Sequence, residues 1–272
     1  MSFATIMVHV DDTADTRIRL AGSIAEGFNS VLIGIAAMAP IPPPAESGDI
    51  AVGEVAADAL QETAAILGTR GNEFRSVLAG SKARCEWRAY ADLLPHLVLA
   101  REARAADLVI IGGPQQSATP YDSIDRAAVI LQAGRPVLVV PPSLETLTAR
   151  RVVIGWKDTR EARRAVLDAL PFLHEAELVM IVEVSDPGRK DEAQRHVDDV
   201  ARHLGRHRIT TTARVMAHVA KPGHELVQVA TAEGADLIVL GGYGHSRLGE
   251  WIFGGVTRDL LTMSPVCCLF SH

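Results

Sequence analysis

Residues 106–113 read ADLVIIGG, and residues 235–242 read ADLIVLGG. Five of the eight positions are identical, and the second segment lies 129 residues after the first. The triplet Arg135-Pro136-Val137 is matched by Ser264-Pro265-Val266 at the same offset. A constant offset over two successive segments indicates that one structural unit occurs twice. The chain is therefore predicted to be an internal duplication.

The two copies also match at their starts. The segment Thr5–Val10 followed by Asp11 is similar to Arg151–Trp156 followed by Lys157 and Asp158. Because the offset there is larger, at 147 residues between Asp11 and Asp158, the first copy must carry extra residues in its middle. The proline-rich segment Met38–Ser47 is the natural place for some of them, because proline disfavours regular structure.

Each copy alternates short apolar segments with segments of helical periodicity. The predicted strands are Thr5–Val10, Val31–Ala36, Cys85–Tyr90, Leu108–Gly112 and Pro136–Val140, then Val152–Trp156, Glu177–Val184, Thr210–Met216, Leu237–Leu240 and Val266–Phe270. The predicted helices are Ala14–Gly27, Glu54–Leu67, Leu93–Ala105, Arg160–Leu173, Asp191–Leu204, His224–Ala232 and Gly255–Thr262. This alternation predicts an α/β fold in which mostly parallel strands are covered by helices on both faces.

The predicted architecture is two tandem domains, residues 1–141 and 150–272, each with a five-stranded sheet. The last strand of each copy is apolar and would form a bare sheet edge, which favours aggregation. We therefore expect the two last strands to pair with one another or to be covered, and the two halves to pack as a pseudo-twofold pair.

Composition limits the classes of function. The 272 residues are 48% hydrophobic and 22% charged, which is typical of a globular protein with a sizeable core. A net charge of −6 argues against nucleic-acid binding. Three cysteines give no disulfide framework and are predicted to be small buried side chains. No signal peptide or membrane-spanning segment is indicated, so we expect a cytoplasmic protein without membrane contact.

A glycine-rich segment follows the predicted strand that ends at Leu240. Residues 241–257 read GGYGHSRLGEWIFGGVT, and the glycines are spaced Gly241-x-x-Gly244, then nine residues, then Gly254. In parallel sheets, ligands bind beyond the carboxyl ends of the strands, and the N-terminus of a helix attracts anions. The predicted phosphate contacts are Gly241, Gly244, His245, Ser246, Arg247, Gly254, Gly255, Val256 and Thr257. For the three residues from His245 to Arg247, an exposed loop position without ligand contact is an equal alternative.

This glycine spacing after an ADLIVLGG-type strand, in a duplicated α/β chain, resembles the universal stress protein family in its tandem form. The resemblance implies the adenine nucleotide alpha hydrolase-like, Rossmann-like fold. It also implies that the glycine-rich segment binds the phosphates of ATP, with or without Mg²⁺, and that a carboxylate after the first strand helps to hold the adenosine. The position after the final glycine is usually Ser or Thr in the family, whereas Gly255 stands here.

The two halves depart from the family pattern in different ways. Asp11 stands at the carboxylate position of the first half, whereas Lys157 stands there in the second and Asp158 comes one residue later. The first half lacks the glycine spacing: Pro114 removes a backbone donor, and Asp125 stands where Gly254 stands in the second half. The resemblance therefore implies one ATP per chain, in the second half, at a site that includes Lys157 and Asp158.

Two functions remain open from the sequence. The chain is either an ATP-binding, nucleotide-responsive regulator with an unidentified protein partner, or an interaction scaffold in the stress response without bound nucleotide. No catalytic motif or metal-ligand spacing accompanies the glycines, so we expect no enzyme beyond slow ATP hydrolysis. The two halves of one chain are expected to form a pseudo-dimer, and association of two chains into a homodimer is a further alternative.

Overall fold

The computed structural model describes residues 2–40, 52–114, 121–186, 188–217, 221–243 and 255–272. The strands within these residues are β1 (Thr5–His9), β2 (Val31–Ala37), β3 (Arg84–Tyr90), β4 (Leu108–Gly112), β5 (Val137–Val140), β6 (Arg151–Trp156), β7 (Leu178–Ser185), β8 (Thr211–Ala217), β9 (Leu237–Gly241) and β10 (Cys267–Ser271). The α-helices are α1 (Asp15–Phe28), α2 (Val52–Val77), α3 (Pro95–Glu102), α4 (Arg126–Gln132), α5 (Arg160–Glu175), α6 (Lys190–Arg206), α7 (Pro222–Ala232) and α8 (Gly255–Met263).

All ten strands form one sheet, in the order β3-β2-β1-β4-β5-β10-β9-β6-β7-β8. Read outward from the centre of the sheet, the first half has the order β5-β4-β1-β2-β3 and the second has the equivalent order β10-β9-β6-β7-β8. The two halves are therefore related by a pseudo-twofold axis between β5 and β10. Those two strands pair antiparallel, with Leu138 opposite Leu269, and the other neighbouring strands are parallel. The predicted α/β fold is confirmed, and the two apolar last strands cover each other's edges.

The two copies differ in length mainly between their second and third strands. Helix α2 has 26 residues and its counterpart α6 has 17, and the segment before α2 is also longer. The extra residues of the first copy are therefore shared between the proline-rich segment and a longer helix. The helix prediction Glu54–Leu67 was too short. The short helix α4, which precedes the last strand of the first half, was missed.

The core lies on both faces of the sheet and runs across the junction of the halves. On one face Phe3 and Phe28 of the first half pack against Phe172 of α5, with ring centroids 5.2 to 5.6 Å apart. Cys267 and Cys268 are buried on opposite faces, and burial raises the pKa of Cys268 to about 12. Because the core is continuous, the domain limits at residues 141 and 150 remain a prediction.

None of the described helices has the length and apolar character needed to cross a lipid bilayer.

Candidate functional site

Strand register aligns the two halves residue by residue at the site. Ile6 of β1 pairs with Leu108 of β4, and Val152 of β6 pairs with Leu237 of β9. Since residues 108 and 237 are equivalent, Ile6 is equivalent to Val152, which lies 146 residues later. The same offset makes Lys157 the counterpart of Asp11, as the family pattern implies, and corrects the offset of 147 that the sequence comparison took from Asp158.

A cavity of about 390 Å³ lies at the carboxyl ends of the second-half strands. It is bounded by the ends of β6, β7 and β9 and by the first residues of α5, α7 and α8. Most of its surface is apolar, with a few polar groups, as is usual for small-molecule sites. Its lining residues are Gly155, Trp156, Lys157, Thr159, Ala162, Val182, Val184, Pro222, Leu226, Leu240, Gly241, Tyr243, Gly255, Val256 and Thr257.

The structure brings five of the predicted site residues together around this cavity: Gly241, Gly255, Val256, Thr257 and Lys157. Asp158 points elsewhere. Its carboxylate lies 2.6 Å from the Arg163 guanidinium and lines a neighbouring, more polar cavity. The other predicted residues, Gly244, His245, Ser246, Arg247 and Gly254, lie outside the described residues.

Two of the glycines meet different steric demands. A Cβ built on Gly241 would lie 2.6 Å from the backbone nitrogen of Ala162, so this glycine lets α5 approach the end of β9. A Cβ on Gly242 would lie 2.7 Å from a methyl of Ile130 in α4, across the junction of the halves. Gly255, by contrast, has open space around it. Helix packing alone therefore requires the first two glycines, and it does not require the third.

Several hydrogen-bond donors surround the cavity. The first residues of α8 are Gly255, Val256 and Thr257, and the first N–H groups of a helix have no acceptor within that helix. The buried hydroxyl of Thr257 accepts a long hydrogen bond, 3.5 Å, from the backbone N–H of Tyr243. The indole Nε1 of Trp156 is buried and has no acceptor among the described residues. The N–H groups at the start of α8 can donate to a ligand in the cavity.

The corresponding place in the first half is filled by the protein's own side chains. Arg17 and Ala162 are each the third residue of the helix that follows the first strand, and each lies against the glycine that ends β4 or β9. Arg126 and Gly255 are each the first residue of the helix before the last strand. His9 is equivalent to Gly155 by strand register. The first half therefore has three large side chains where the second has two glycines and an alanine.

These side chains are held by hydrogen bonds and ion pairs. Arg17 is 4% exposed; its Nε donates to the carbonyl of His9 over 2.9 Å, and its guanidinium lies 2.8 Å from Asp11. Arg126 donates from Nε to the carbonyl of Gly112 over 2.7 Å, and also donates to the carbonyl of Gly113. The carboxylate and carbonyl groups at the ends of these first-half strands are thus occupied.

The charges in this cluster shift the pKa values of its members. Burial lowers the pKa of His9 to about 4, with further lowering by Arg17 and partial compensation by Asp11. Burial acts to raise the pKa of Asp11, but the Arg17 guanidinium, His9 and the hydrogen bonds from Thr13 together outweigh it and hold that pKa well below its ordinary value. At neutral pH, Asp11 is therefore an anion paired within the protein, and His9 is neutral.

Asp125 and Asp122 complete the first-half arrangement. The carboxylate of Asp125 accepts a 3.0 Å hydrogen bond from the backbone N–H of Ala128 and so caps α4. The sequence predicted a negative charge at the phosphate position. The structure shows in addition that this carboxylate accepts a hydrogen bond from a backbone N–H of α4 that a bound anion would otherwise use. Asp122 forms a buried bidentate pair with Arg70 of α2, at 2.8 and 2.6 Å.

Sequence reasoning missed most of these groups. Ala162, Tyr243 and the apolar β7 residues were not predicted as site residues, and Arg17 and Arg126 were not considered. The offset of 129 would have paired Arg126 with Gly255. The pairing of Arg17 with Ala162 does not follow the offset of the strands, because Arg17 lies eight positions after His9 whereas Ala162 lies seven positions after the equivalent Gly155. Trp156 belongs to the buried core and also lines the cavity.

Comparison with known proteins tests the predicted resemblance to a family. Residues 148–271 match the sequence model of the Universal stress protein family. No curated protein sequence matches the chain significantly. A universal stress protein from Archaeoglobus fulgidus DSM 4304 has a similar solved structure, with a TM-score of 0.69, 14% identity and coverage of 98% of each chain. A putative universal stress protein from Pseudomonas aeruginosa UCBPP-PA14 is similar with a TM-score of 0.60 and 13% identity, over 99% of this chain and 93% of that one.

These two structures show the fold alone, and the family match covers the half that contains the open cavity. The predicted resemblance is confirmed. The second half of the chain, residues 148–271, matches the Universal stress protein family, and the two halves together share the fold of the two solved structures.

Proposed function

We propose that the protein binds one adenine nucleotide, ATP, in its second half and acts as a nucleotide-responsive regulator. The observation that carries this proposal is the difference between the two strand-end crevices. Gly155, Ala162 and Gly255 leave the second crevice open, whereas large polar side chains fill the equivalent positions of the first.

The shape and chemistry of the cavity suit a nucleotide. Its volume falls within the range of about 300–1,000 Å³ that is usual for small-molecule sites. Val182, Val184 and Leu226 offer apolar surface for a base. The N-terminus of α8 offers backbone N–H groups and the positive end of the helix dipole to a phosphate. Mg²⁺, where it accompanies ATP, would be held mainly by the phosphates, since the described residues contain no cluster of three metal-ligating side chains.

The side chains that fill the first-half crevice favour one bound nucleotide per chain. A nucleotide there would have to displace Arg17 from Asp11 and Arg126 from two backbone carbonyls. Each of these groups is buried or partly buried, and leaving such groups without partners costs about 1–3 kcal/mol apiece or more. The first half acts instead as a fixed neighbour that covers the edge of β10.

Titration calorimetry with ATP tests the proposal. We expect one site per chain in the wild type, and we expect Ala162→Arg to abolish binding because it places a first-half side chain in the second-half cavity. Leu167→Arg is the matched control: it adds the same charge on the same helix, at a position that is 50% exposed. Gly255→Arg makes the second blocking variant, at a site where a side chain meets open space.

Other calorimetric results would contradict the proposal. Two sites per chain, or full binding by both blocking variants with circular dichroism unchanged, would contradict the assignment to the second half. Loss of binding in Leu167→Arg as well would mean that the added charge, and not blocking of the cavity, is responsible.

We further propose that the protein is not an efficient enzyme. Donors that hold the phosphates bind substrate and transition state about equally, and such uniform binding does not raise kcat. We expect slow ATP hydrolysis at most, measured by phosphate release from purified protein. Sustained turnover near an ordinary enzyme rate of about 10 per second would contradict this view.

A second function, that of a nucleotide-free scaffold, is favoured by two specific residues. Gly255 lacks the hydroxyl that is usual in the family, and Lys157 replaces the carboxylate. The absence of any bound nucleotide in calorimetry and in protein purified from cells would select the scaffold.

A further inference from the structure

We propose that Lys157 makes this site selective for a nucleotide that carries a second anionic group on its ribose, at the 2′ or 3′ position, in addition to its 5′ phosphate. This inference rests on the proposed nucleotide site. It concerns which nucleotide the second half recognises.

Lys157 is the one charged side chain among the described residues that line the 390 Å³ cavity. It makes no ion pair with any carboxylate in the part of the chain that the structure describes. The first-half counterpart is different, because Asp11 is bound by Arg17. Lys157 is exposed to solvent where it borders this mostly apolar cavity, so its unpaired ammonium group is free to contact an anionic group of a bound ligand.

Two of the neighbouring carboxylates already have arginine partners. Lys157 also lines a second, more polar cavity of about 450 Å³ that adjoins the first. Two of the four acidic residues lining that cavity form ion pairs: Asp158 with Arg163 at 2.6 Å and Glu192 with Arg189 at 2.9 Å. Glu183 lies 3.3 Å from His196, which is a cation only when protonated, and Asp186 lies beyond the end of β7. A phosphate group would therefore bind beside Lys157 and away from these carboxylates.

The strand order indicates which part of a nucleotide meets Lys157. The N-terminus of α8 lies at the end of β9, Lys157 follows β6, and Val182 and Val184 belong to β7. These strands are adjacent in the order β9-β6-β7, and adjacent strands lie about 4.8 Å apart. A nucleotide with its 5′ phosphate at α8 and its base against β7 therefore places its ribose over the end of β6.

A lysine suits a phosphate at this point better than it suits a free ribose. An ammonium group has three donors and no acceptor, so it cannot accept the hydrogen bonds that ribose hydroxyls donate. A carboxylate at the same position could accept them. A phosphate on the ribose would form a charge-assisted hydrogen bond with Lys157, and such bonds are roughly twice as strong as neutral ones.

The test compares ligands that carry two phosphates in different places. ADP has both on the 5′ side, whereas adenosine 3′,5′-bisphosphate and adenosine 2′,5′-bisphosphate each have one on the ribose. We expect at least one of the two bisphosphates to bind the wild type at least tenfold more tightly than ADP. Lys157→Ala should remove that preference. Lys82→Ala is the matched control, since it removes an exposed lysine near the start of β3 in the other half.

Each outcome has a defined meaning. If ADP binds the wild type as tightly as both bisphosphates, or more tightly, the inference is overturned. If Lys157→Ala then also lowers the affinity for ADP, Lys157 contacts the 5′ phosphates instead. If a preference for a bisphosphate persists in Lys157→Ala, a different residue provides it and the inference is again overturned. If ATP binds without any such preference, only this inference fails. If neither ATP nor any of the other three ligands binds, the proposed function fails together with it.

Discussion

Replacing Gly255 with serine adds a hydroxyl at the first residue of α8, where the family usually has Ser or Thr. Gly255 lines the cavity, and a Cβ built on it meets no atom within 4 Å. The substitution therefore has no steric cost in the folded protein. Its backbone lies in the helix, so a residue with a side chain is tolerated there without strain.

The expected size of the effect follows from the new hydrogen bond. A hydroxyl that donates to a phosphate forms a bond with a charged group, which contributes about 1.5–3 kcal/mol. This corresponds to a roughly 10- to 100-fold gain in ATP affinity. Serine also has a better helix propensity than glycine, by about 0.5 kcal/mol, so the thermal stability of the unliganded protein should rise slightly.

Gly255→Ala separates the two contributions, because alanine improves helix propensity without adding a donor. Titration calorimetry with ATP on the wild type and both variants should show tighter binding for serine alone, while thermal unfolding without ligand should show both variants at or above the wild type. Equal affinities for the serine and alanine variants would refute the reasoning, since the added hydroxyl would then not reach a phosphate.

Two further predictions concern the first half. In α2, Gly68→Ala should raise the free energy of unfolding by about 1 kcal/mol, because nothing lies near its added Cβ, whereas Gly71→Ala should lower it by about 1–3 kcal/mol, because that Cβ would lie 2.8 Å from the indole of Trp87. Urea unfolding of the pair measures both changes, and an equal sign for the two would contradict the packing argument. The folded pKa of His9 is about 4 against an ordinary value of 6.5, so the unfolded chain binds a proton between these pH values that the folded protein does not. Stability should therefore fall as the pH drops from about 6.5 to about 4, by at most about 3 kcal/mol from this group. His9→Gln should show a smaller fall over the same range, and an unchanged pH dependence would remove His9 as its source.

The duplication and the strands could be predicted from the amino-acid pattern alone, and so could the need to protect the last strand of each half. The offset of 129 residues identified equivalent segments, and the predicted strands agree with β1 to β10 to within one residue at each end. Buried strands are readily recognised because each is a short apolar segment between polar ones. The pairing of β5 with β10 followed from the same pattern, since each would otherwise leave an apolar edge. The glycine spacing and the match of Lys157 to Asp11 also pointed to the ends of β9 and β6, where the second-half cavity lies.

The side chains that fill each crevice could not be predicted from the sequence. Arg17 and Arg126 each resemble an ordinary exposed residue near the start of a helix, and nothing local indicates that both guanidinium groups turn inward to Asp11 and to the β4 carbonyls. In the same way, Gly241 was predicted as a phosphate contact, and the structure shows that the approach of α5 already requires a glycine there. Sequence patterns report which face of an element is buried. The occupancy of a crevice depends on side chains from several elements far apart in the chain, whose directions are set by the charges and space they meet after folding.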